Sequence, residues 1–432
     1  MQHMPPASVT TEEILANLWP GTNVIVPIAN GEPVALMEQL EAVAGDLQAV
    51  RVHQMHALHD HPTLHGVHGD RLRHRSYFLS PVTRPAFHGG TIDLVPCNFS
   101  DVPRLLERLD GPKLVLAAVA PGDRHGYYSL GTNADYVAPF IGKVPFLVEV
   151  NAQMPRSFGG NQIHVSQITA SIEVDRPLVT IEPQAPGPVD AAIAEYVVDR
   201  IPNGATLQVG IGAIPNAVLA FLRHHRDLGV HTELLSDGIV DLVEAGVVTG
   251  THKQRRPRRI VTTFCLGTRR VYDFIHENPV VEMLRVDWVN DPRVIGSEPN
   301  FVSINATTEV DLLGQCASET IAGRYWSGSG GQADFARGAM YSEGGQGFIV
   351  CQSTAQRGHV SRIVSRLTPG SVVTTEKNTV VGGHRIRPAD GHLRLPADGQ
   401  STAESDRRPR FAIQGTAAHR GRSASTRCYL LA

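Results

Sequence analysis

Two glycine-dense turns and one isolated carboxylate are the residues of this chain best suited to chemistry. In residues 204–246, GATLQVGIGAIPNAVLAFLRHHRDLGVHTELLSDGIVDLVEAG, the apolar run 207–209 ends in Gly210-Ile211-Gly212. Backbone N–H groups in such a turn can come close to a ligand, because glycine carries no Cβ. Pro215 suits the first turn of the helix that follows. Strand, glycine turn and helix N-terminus in that order form a cradle for a phosphate-bearing group, although the same glycines also serve as plain tight-turn residues. The next strand-like run, Val230-His231-Thr232, ends on Glu233. That places one acid at the carboxyl edge of an open sheet, where α/β proteins put their ligands. An acid there can act as a nucleophile.

The other glycine-dense loop is Ser327-Gly328-Ser329-Gly330-Gly331-Gln332-Ala333-Asp334-Phe335. Its backbone donors can approach an oxyanion, as stabilising a tetrahedral intermediate requires; a surface turn is the plain alternative. Glu309 and Asp311 are rival carboxylates, but their alternation with Val310 and Leu312 fits the polar face of a strand. Asp241 and Glu244 stand at helical spacing and read as surface acids. The histidines from His53 to His74 invite a metal reading. Their spacing fits neither HExxH nor a Cys/His finger, so no metal is expected. Arg73, Arg75 and Arg84 flank the apolar Tyr77-Phe78-Leu79 and can hold a substrate carboxylate by bidentate hydrogen bonds; solvated surface arginines fit the pattern equally well.

These groups need a scaffold, and 432 residues at 42% hydrophobic and 19% charged provide for two to three domains with substantial cores. No stretch approaches a membrane span. The start, MQHMPPASVTTEE, has no basic flank followed by an apolar core, so a cytoplasmic location is expected. Cys97, Cys265, Cys316, Cys351 and Cys428 contain no CxxC pair and read as reduced thiols. A formal net charge of −3 gives no electrostatic case for a nucleic-acid partner.

The element order repeats. Residues 10–18 read as a helix, 21–26 as a strand, 29–33 as a turn and 34–43 as a helix; later the helix DAAIAEYVVDRI, Gly204, the strand ATLQVG, the glycine turn, Pro215 and the helix NAVLAFL follow the same order. Self-similarity at about half the chain length implies duplication of a whole α/β domain. The three prolines of residues 181–190, IEPQAPGPVD, mark an extended linker between the copies. Further strand-like runs stand at 113–119, 144–150, 259–264, 301–304 and 347–350. Strands alternating with helical segments imply mostly parallel sheets covered on both faces. Two related α/β domains facing each other are therefore expected, with the active site between them.

With these residues in view, the chain resembles the acetyl-CoA hydrolase/transferase family, most closely its 4-hydroxybutyrate (or butyryl/acetate) CoA-transferase branch. The matching segments are GYYSLG (126–131), VNAQMPRSFG (150–159), LQVGIGAIPNAVL (207–219), LGVHTELLSDGIVDLVEAG (228–246), YDFIHENPVVEM (272–283), SINATTEVDLLGQ (303–315) and SGSGGQADFARGA (327–339). The resemblance covers roughly residues 8–375. The resemblance implies an α/β fold of two CoA-transferase-type domains, 8–185 and 190–378, and a ping-pong exchange of CoA between carboxylic acids. It puts the catalytic glutamate at Glu233 and a CoA-binding loop at Gly210, Ile211, Gly212, Ala213 and Ile214. A second CoA and oxyanion contact falls on Gly331, with Gly328 and Gly330 shaping its loop; Asn151 and Gln153 belong to a family motif. The implied partners are acyl-CoA and short-chain carboxylates, with no cofactor beyond coenzyme A, no nucleic acid and no membrane; homo-oligomers are common among such enzymes. A carboxylate nucleophile is expected to be charged already at pH 7 and to need no neighbouring base. Water admitted to the acyl or thioester intermediate gives an acyl-CoA hydrolase instead.

Beyond residue 375 the resemblance ends. Where the family continues to a VVTEYG segment, this chain reads EKNTVVGGHRIRPADGHLRLPADGQ, and residues 379–432 are arginine-rich without a sustained period. A poorly ordered tail is expected there. Gly382-Gly383-His384-Arg385-Ile386-Arg387 can be encoded GGT-GGT-CAC-CGA-ATA-CGG, which one base later reads Val-Val-Thr-Glu-Tyr-Gly. A frameshift accounts for the departure and implies, as a third reading, an inactive CoA-binding relative.

Overall fold

A computed structural model of the chain describes residues 10–375 and the backbone of the strands Arg385–Pro388, Phe411–Thr416 and Arg427–Leu431. In the first half, β1 (Asn23–Val26), β2 (Val50–Gln54), β3 (Leu72–Ser76), β4 (Asp93–Leu94), β5 (Lys113–Val119), β6 (Phe146–Asn151) and β7 (Ala170–Val174) form one sheet in the order β7-β6-β5-β1-β2-β3-β4. Every neighbouring pair is parallel. The central strands, NVIV, KLVLAAV and FLVEVN, are almost wholly buried, because near-continuous apolar runs need a sheet covered on both faces. Glu149, inside β6, accepts the Ala35 N–H at 2.7 Å. It thereby satisfies an end donor of α1 (Val34–Ala42) and sits where the helix dipole favours negative charge.

After residues 181–187, which form no helix or strand, α2 (Pro188–Val198) starts on its proline and the plan repeats. The strands β8 (Thr206–Val209), β9 (Gly229–Val230), β10 (Phe301–Ala306) and β11 (Gln346–Val350) lie parallel in the order β9-β8-β10-β11. β8 sits between β9 and β10 as β1 sits between β2 and β5. Beyond β9 a parallel bridge, His231 to Val261, leads to Ile260–Thr262 and then Val281–Met283, in the places that β3 and β4 hold in the first half. The duplication read from the sequence is thus visible in strand order.

In the tail only three strands are described. Its three strands, β12 (Arg385–Pro388), β13 (Phe411–Thr416) and β14 (Arg427–Leu431), extend the second sheet in the order β11-β14-β13-β12, parallel at β11-β14 and antiparallel after it. Each run is only four to six residues, too short for a period to show, and the open edge of β11 offers it a ladder partner. Residues 379–384, on which the frameshift reading begins, lie outside the described residues.

The two halves share one core. Leu234, Phe264, Leu266 and Val286 of the second half join a buried cluster with Ile25, Tyr77, Phe99 and Tyr136 of the first, and the Phe99 ring meets both Tyr136 and Phe264 edge-on at 6.2 and 6.3 Å. Backbone bonds cross as well: Ala134 N–H to Thr263 O (2.8 Å), Cys265 N–H to Thr132 O (2.8 Å) and Val286 N–H to Asp135 O (2.9 Å). Among the described residues no helix is long and apolar enough to cross a membrane.

Candidate active site

Because β8, β9, β10 and β11 run parallel, their carboxyl ends fall on one edge, and the loops leaving them carry the singled-out residues. Glu233 leaves β9 three residues after its end. Its carbonyl is fixed by the N–H groups of Thr263 (3.2 Å) and Phe264 (3.1 Å) and by the Thr262 hydroxyl (3.0 Å). Its carboxylate accepts the Asn290 Nδ2–H at 2.8 Å. On the other side lies Gly331, the N-cap of α4 (Gln332–Tyr341), where a Cβ would overlap both Glu233 Oε2 and Asn290 Nδ2. The nucleophile candidate therefore rests directly on backbone at the positive end of a helix.

Burial opposes that helix end. Desolvation pushes Glu233 up to about 7, against the pull of the Asn290 hydrogen bond. This corrects the expectation of a fully charged carboxylate at neutral pH, because the tertiary burial of a side chain is invisible in its sequence neighbourhood. Asp334 is likewise raised to about 7 by burial, with Ser100 donating to it and the charge of Glu233 opposing its ionisation. Both groups bind protons more tightly in the folded chain than unfolded, where carboxyls titrate near 4.5 and 3.8. Their contribution to stability is complete below those unfolded values and is lost as pH rises through about 7. The expected outcome is a melting temperature carrying a downward component between pH 5 and 8, which Glu233→Gln reduces; a difference between the two proteins that does not vary with pH counts against it.

The first glycine loop is built by its neighbours. Gly210 N–H donates to Ile304 O at 2.8 Å, and a Cβ on Gly210 would stand 3.0 Å from Asn305 Oδ1. Asn305 and Gln208, both buried, exchange two amide hydrogen bonds of 2.9 and 3.1 Å. Asn305→Ala orphans both ends of Gln208, so a loss of about 1–3 kcal/mol is expected, measured by urea unfolding. Gly212, at φ 133°, caps α3 (Ala213–Phe221). Within the predicted CoA loop, Ile211 is 69% exposed whereas Ile214 joins the core of the second half. Ile211 alone of the two isoleucines presents its side chain to solvent.

The second loop is pressed against the first half. A Cβ on Gly328 would lie 2.8 Å from Tyr77 O, and one on Gly330 3.4 Å from the Phe78 ring. Leu79 N–H donates to Ser327 O (3.3 Å) and Phe99 N–H to Gly330 O (2.9 Å). Gly328 and Gly330 thus seat the loop on the opposing domain, and Gly331 meets the carboxylate.

Other candidates are taken up elsewhere. Arg73 donates to Asp93 at 2.7 Å, and Arg75 faces the same acid at 3.6 Å. Arg84 lies 3.6 Å above the Trp326 ring and donates to its carbonyl. His53 bridges Tyr77 and Asn23, and His61 pairs with buried Glu32 at 2.6 Å. Asp311, buried rather than on a polar strand face, closes its own turn through Leu313 and Gln315; Glu309 holds Thr368. Asp241 and Glu244 both pair with Arg270. Asn151 ties down the Arg176 backbone and Gln153 donates to Asp175. Sequence reasoning missed Asn290, Ser100 and the role of Asp334; the only local signal was the Asn290-Asp291-Pro292 break, which starts a helix on Pro292.

Known proteins share this fold. The family model described as the acetyl-CoA hydrolase/transferase N-terminal domain matches residues 7–195, and that of the C-terminal domain matches 267–382. The succinyl-CoA:cyclohexane-1-carboxylate CoA transferase of Geobacter metallireducens is 44% identical over 370 residues, 85% of this chain and 84% of that one. The 4-hydroxybutyrate coenzyme A transferase of Clostridium kluyveri is 41% identical over 375 residues, 86% and 87% of the two chains. RipA from Yersinia pestis superposes with a TM-score of 0.81 at 36% identity, covering 86% of this chain and 87% of that one. The two-domain fold is that of a CoA-transferase. The chain belongs to the acetyl-CoA hydrolase/transferase family.

Proposed function

We propose that the protein exchanges CoA between an acyl-CoA and a short-chain carboxylate of the 4-hydroxybutyrate, butyrate or acetate type, with Glu233 as nucleophile. What carries this reading is the Glu233 carboxylate, desolvated and held between Asn290 and Gly331. An ionised Glu233 oxygen attacks the thioester carbonyl and expels CoA thiolate, leaving an acyl-glutamyl anhydride. The thiolate attacks the glutamyl carbonyl, releasing the acid and leaving a glutamyl-CoA thioester; the incoming carboxylate reverses both steps. One thioester replaces another, so binding of the pantetheine arm can be used to press the reacting atoms together. Gly210, Ile211, Gly212, Ala213 and Ile214 would cradle the CoA, with Gly331 and its loop as the second contact. No group beyond CoA is required. Cys97, Cys265 and Cys351 are free thiols, which supports a reducing, cytoplasmic setting.

The test is incubation with butyryl-CoA or acetyl-CoA, borohydride trapping and peptide mapping. Modification confined to Glu233, with turnover dependent on an added carboxylate, is the expected result. Turnover without an acceptor would establish the hydrolase instead, and folded protein without any adduct would leave an inactive relative. The coding DNA decides the frameshift: codons that give no VVTEYG in the shifted frame end that idea.

The ionisation of Glu233 also fixes a pH dependence. Because the attacking form is the anion and its midpoint is about 7, kcat/KM for acyl-CoA should rise with pH and level off above 8. At pH 6 it should lie about tenfold below the plateau. A profile flat from pH 5.5 to 8.5 would contradict it.

A further inference from the structure

Building on the reading of Glu233 as nucleophile, we propose that a cleft between the two halves, edged by Arg104 and Arg108, is the port through which the free carboxylic acids leave and enter while CoA stays bound. The cleft measures about 480 Å³, within the range of small-molecule sites. Asp101, Arg104 and Arg108 line it from the first half, and Glu319, Ser329 and Val373 from the second. Ser329 ties it to the reaction. It stands two residues before Gly331, whose backbone lies against the Glu233 carboxylate, and Cα atoms two residues apart are separated by at most about 7.6 Å. A parallel bridge joins Asn98 to Gly330, so the wall that bears the arginines is pinned to the same loop.

The exchange itself calls for a second opening. The first acid departs and the second arrives while CoA is held on Glu233 as a thioester, so the pantetheine arm fills its own approach throughout. A small acid then needs another way to the thioester carbonyl.

The arginines give the cleft its charge. Arg104 and Arg108 stand four residues apart in the helix Val102–Arg108, which puts both on one face. Both are exposed, and among the described residues neither forms an ion pair or a side-chain hydrogen bond. Like charges so placed repel, and an anion between them relieves the repulsion while accepting forked N–H bonds. Arg73 and Arg75 differ on this point, since Asp93 takes both. Two acids share the cleft. Asp101 accepts the Asn98 amide at 3.5 Å and can offset at most one guanidinium. Glu319 is buried, with one oxygen lacking a hydrogen-bond partner; burial raises it above the ordinary carboxyl value, so it repels an arriving anion less than a surface acid would. Positive charge at the mouth of such a cleft gathers anions and speeds their entry.

The experiment starts from the glutamyl-CoA enzyme, formed with butyryl-CoA and freed of excess substrate, and follows acetyl-CoA formation by quenched flow on mixing with acetate. Arg104→Ala/Arg108→Ala should lower the second-order rate constant for acetate at least about fivefold at low ionic strength, with the difference shrinking at high salt. The acyl-CoA concentration that half-saturates adduct formation should move less than about twofold. Both positions are exposed and alanine suits a helix, so the double variant should fold. An unchanged acetate rate constant overturns the proposal. So does a change confined to acyl-CoA, which would give the two arginines to the CoA phosphates. If the parent protein forms no glutamyl-CoA adduct, the nucleophile reading falls, and acid binding is read instead from line broadening of butyrate labelled with 13C at its carboxyl carbon. Broadening that the double variant loses upholds the carboxylate site; broadening that it keeps, or that the parent lacks, overturns it.

Discussion

Replacing Glu233 with alanine should abolish the covalent CoA adduct and lower kcat at least about 10⁴-fold, within the range that loss of a nucleophile costs other enzymes. The size of the effect follows from what surrounds the residue. Glu309 is bonded to Thr368, Asp311 to its own turn, and Asp334 to Ser100, so none of these three acids is free to replace it. The same substitution should leave the melting temperature at neutral pH unchanged or raised. A buried carboxyl with a midpoint of about 7 costs folding free energy whenever it must ionise, and its removal relieves that cost. Activity and stability moving in opposite directions mark a site built for reaction; a variant that loses both together would instead mark Glu233 as structural. Glu233→Gln sharpens the comparison, since it keeps the shape under Gly331 and removes only the charge.

Much of this site was legible because each part of it is local. The GIG turn between an apolar run and a helix beginning near Pro215, and the single acid after the next strand, are patterns spanning a few residues. Gly331 was legible through its loop. Asn290 and Ser100 were not: Asn290 meets Glu233 across 57 residues of sequence and Ser100 meets Asp334 across 234, and no local period links either pair. The ionisation of Glu233 was misread for the same reason. Its type and position were written in the chain, but the desolvation that raises it comes from tertiary packing, with Asn290 and Gly331 brought against it from far along the chain. Arg73 and Arg75 show the converse case, a local cluster that suggested substrate binding and whose fork is filled by Asp93 from the neighbouring strand.

Fold was more legible than partnering. The unbroken apolar run KLVLAAV could only be a doubly covered strand, and residues 113–119 form one. The order helix, strand, turn and helix recurs in both halves because duplication preserves topology. The tail strands β12, β13 and β14 had no such signature, since an edge strand takes its conformation from the ladder it joins.

Gly331→Ala should lower kcat by roughly 10²-fold or more while the protein stays folded, as expected when a reacting group is displaced by about 1 Å. Gly331 has φ −101° and ψ 5°, a conformation open to alanine, so the backbone carries no strain. The penalty falls on the added methyl, which meets Glu233 Oε2 and Asn290 Nδ2. Either the carboxylate turns away from Asn290 or α4 withdraws, and in both cases the attacking oxygen leaves its place. Gly212→Ala is the contrasting control. There the space is open, with Pro215 Cδ at 3.7 Å the nearest neighbour, but φ is 133°, so the cost is backbone strain in the CoA loop. Its effect should appear in KM for acyl-CoA and in melting temperature, with kcat largely kept. Stopped-flow measurement of adduct formation in both variants separates the two: Gly331→Ala slows the covalent step at saturating acyl-CoA, whereas Gly212→Ala raises the concentration needed to saturate it. Gly331→Ala reacting at the parental rate would mean that Glu233 does not attack from beneath that glycine.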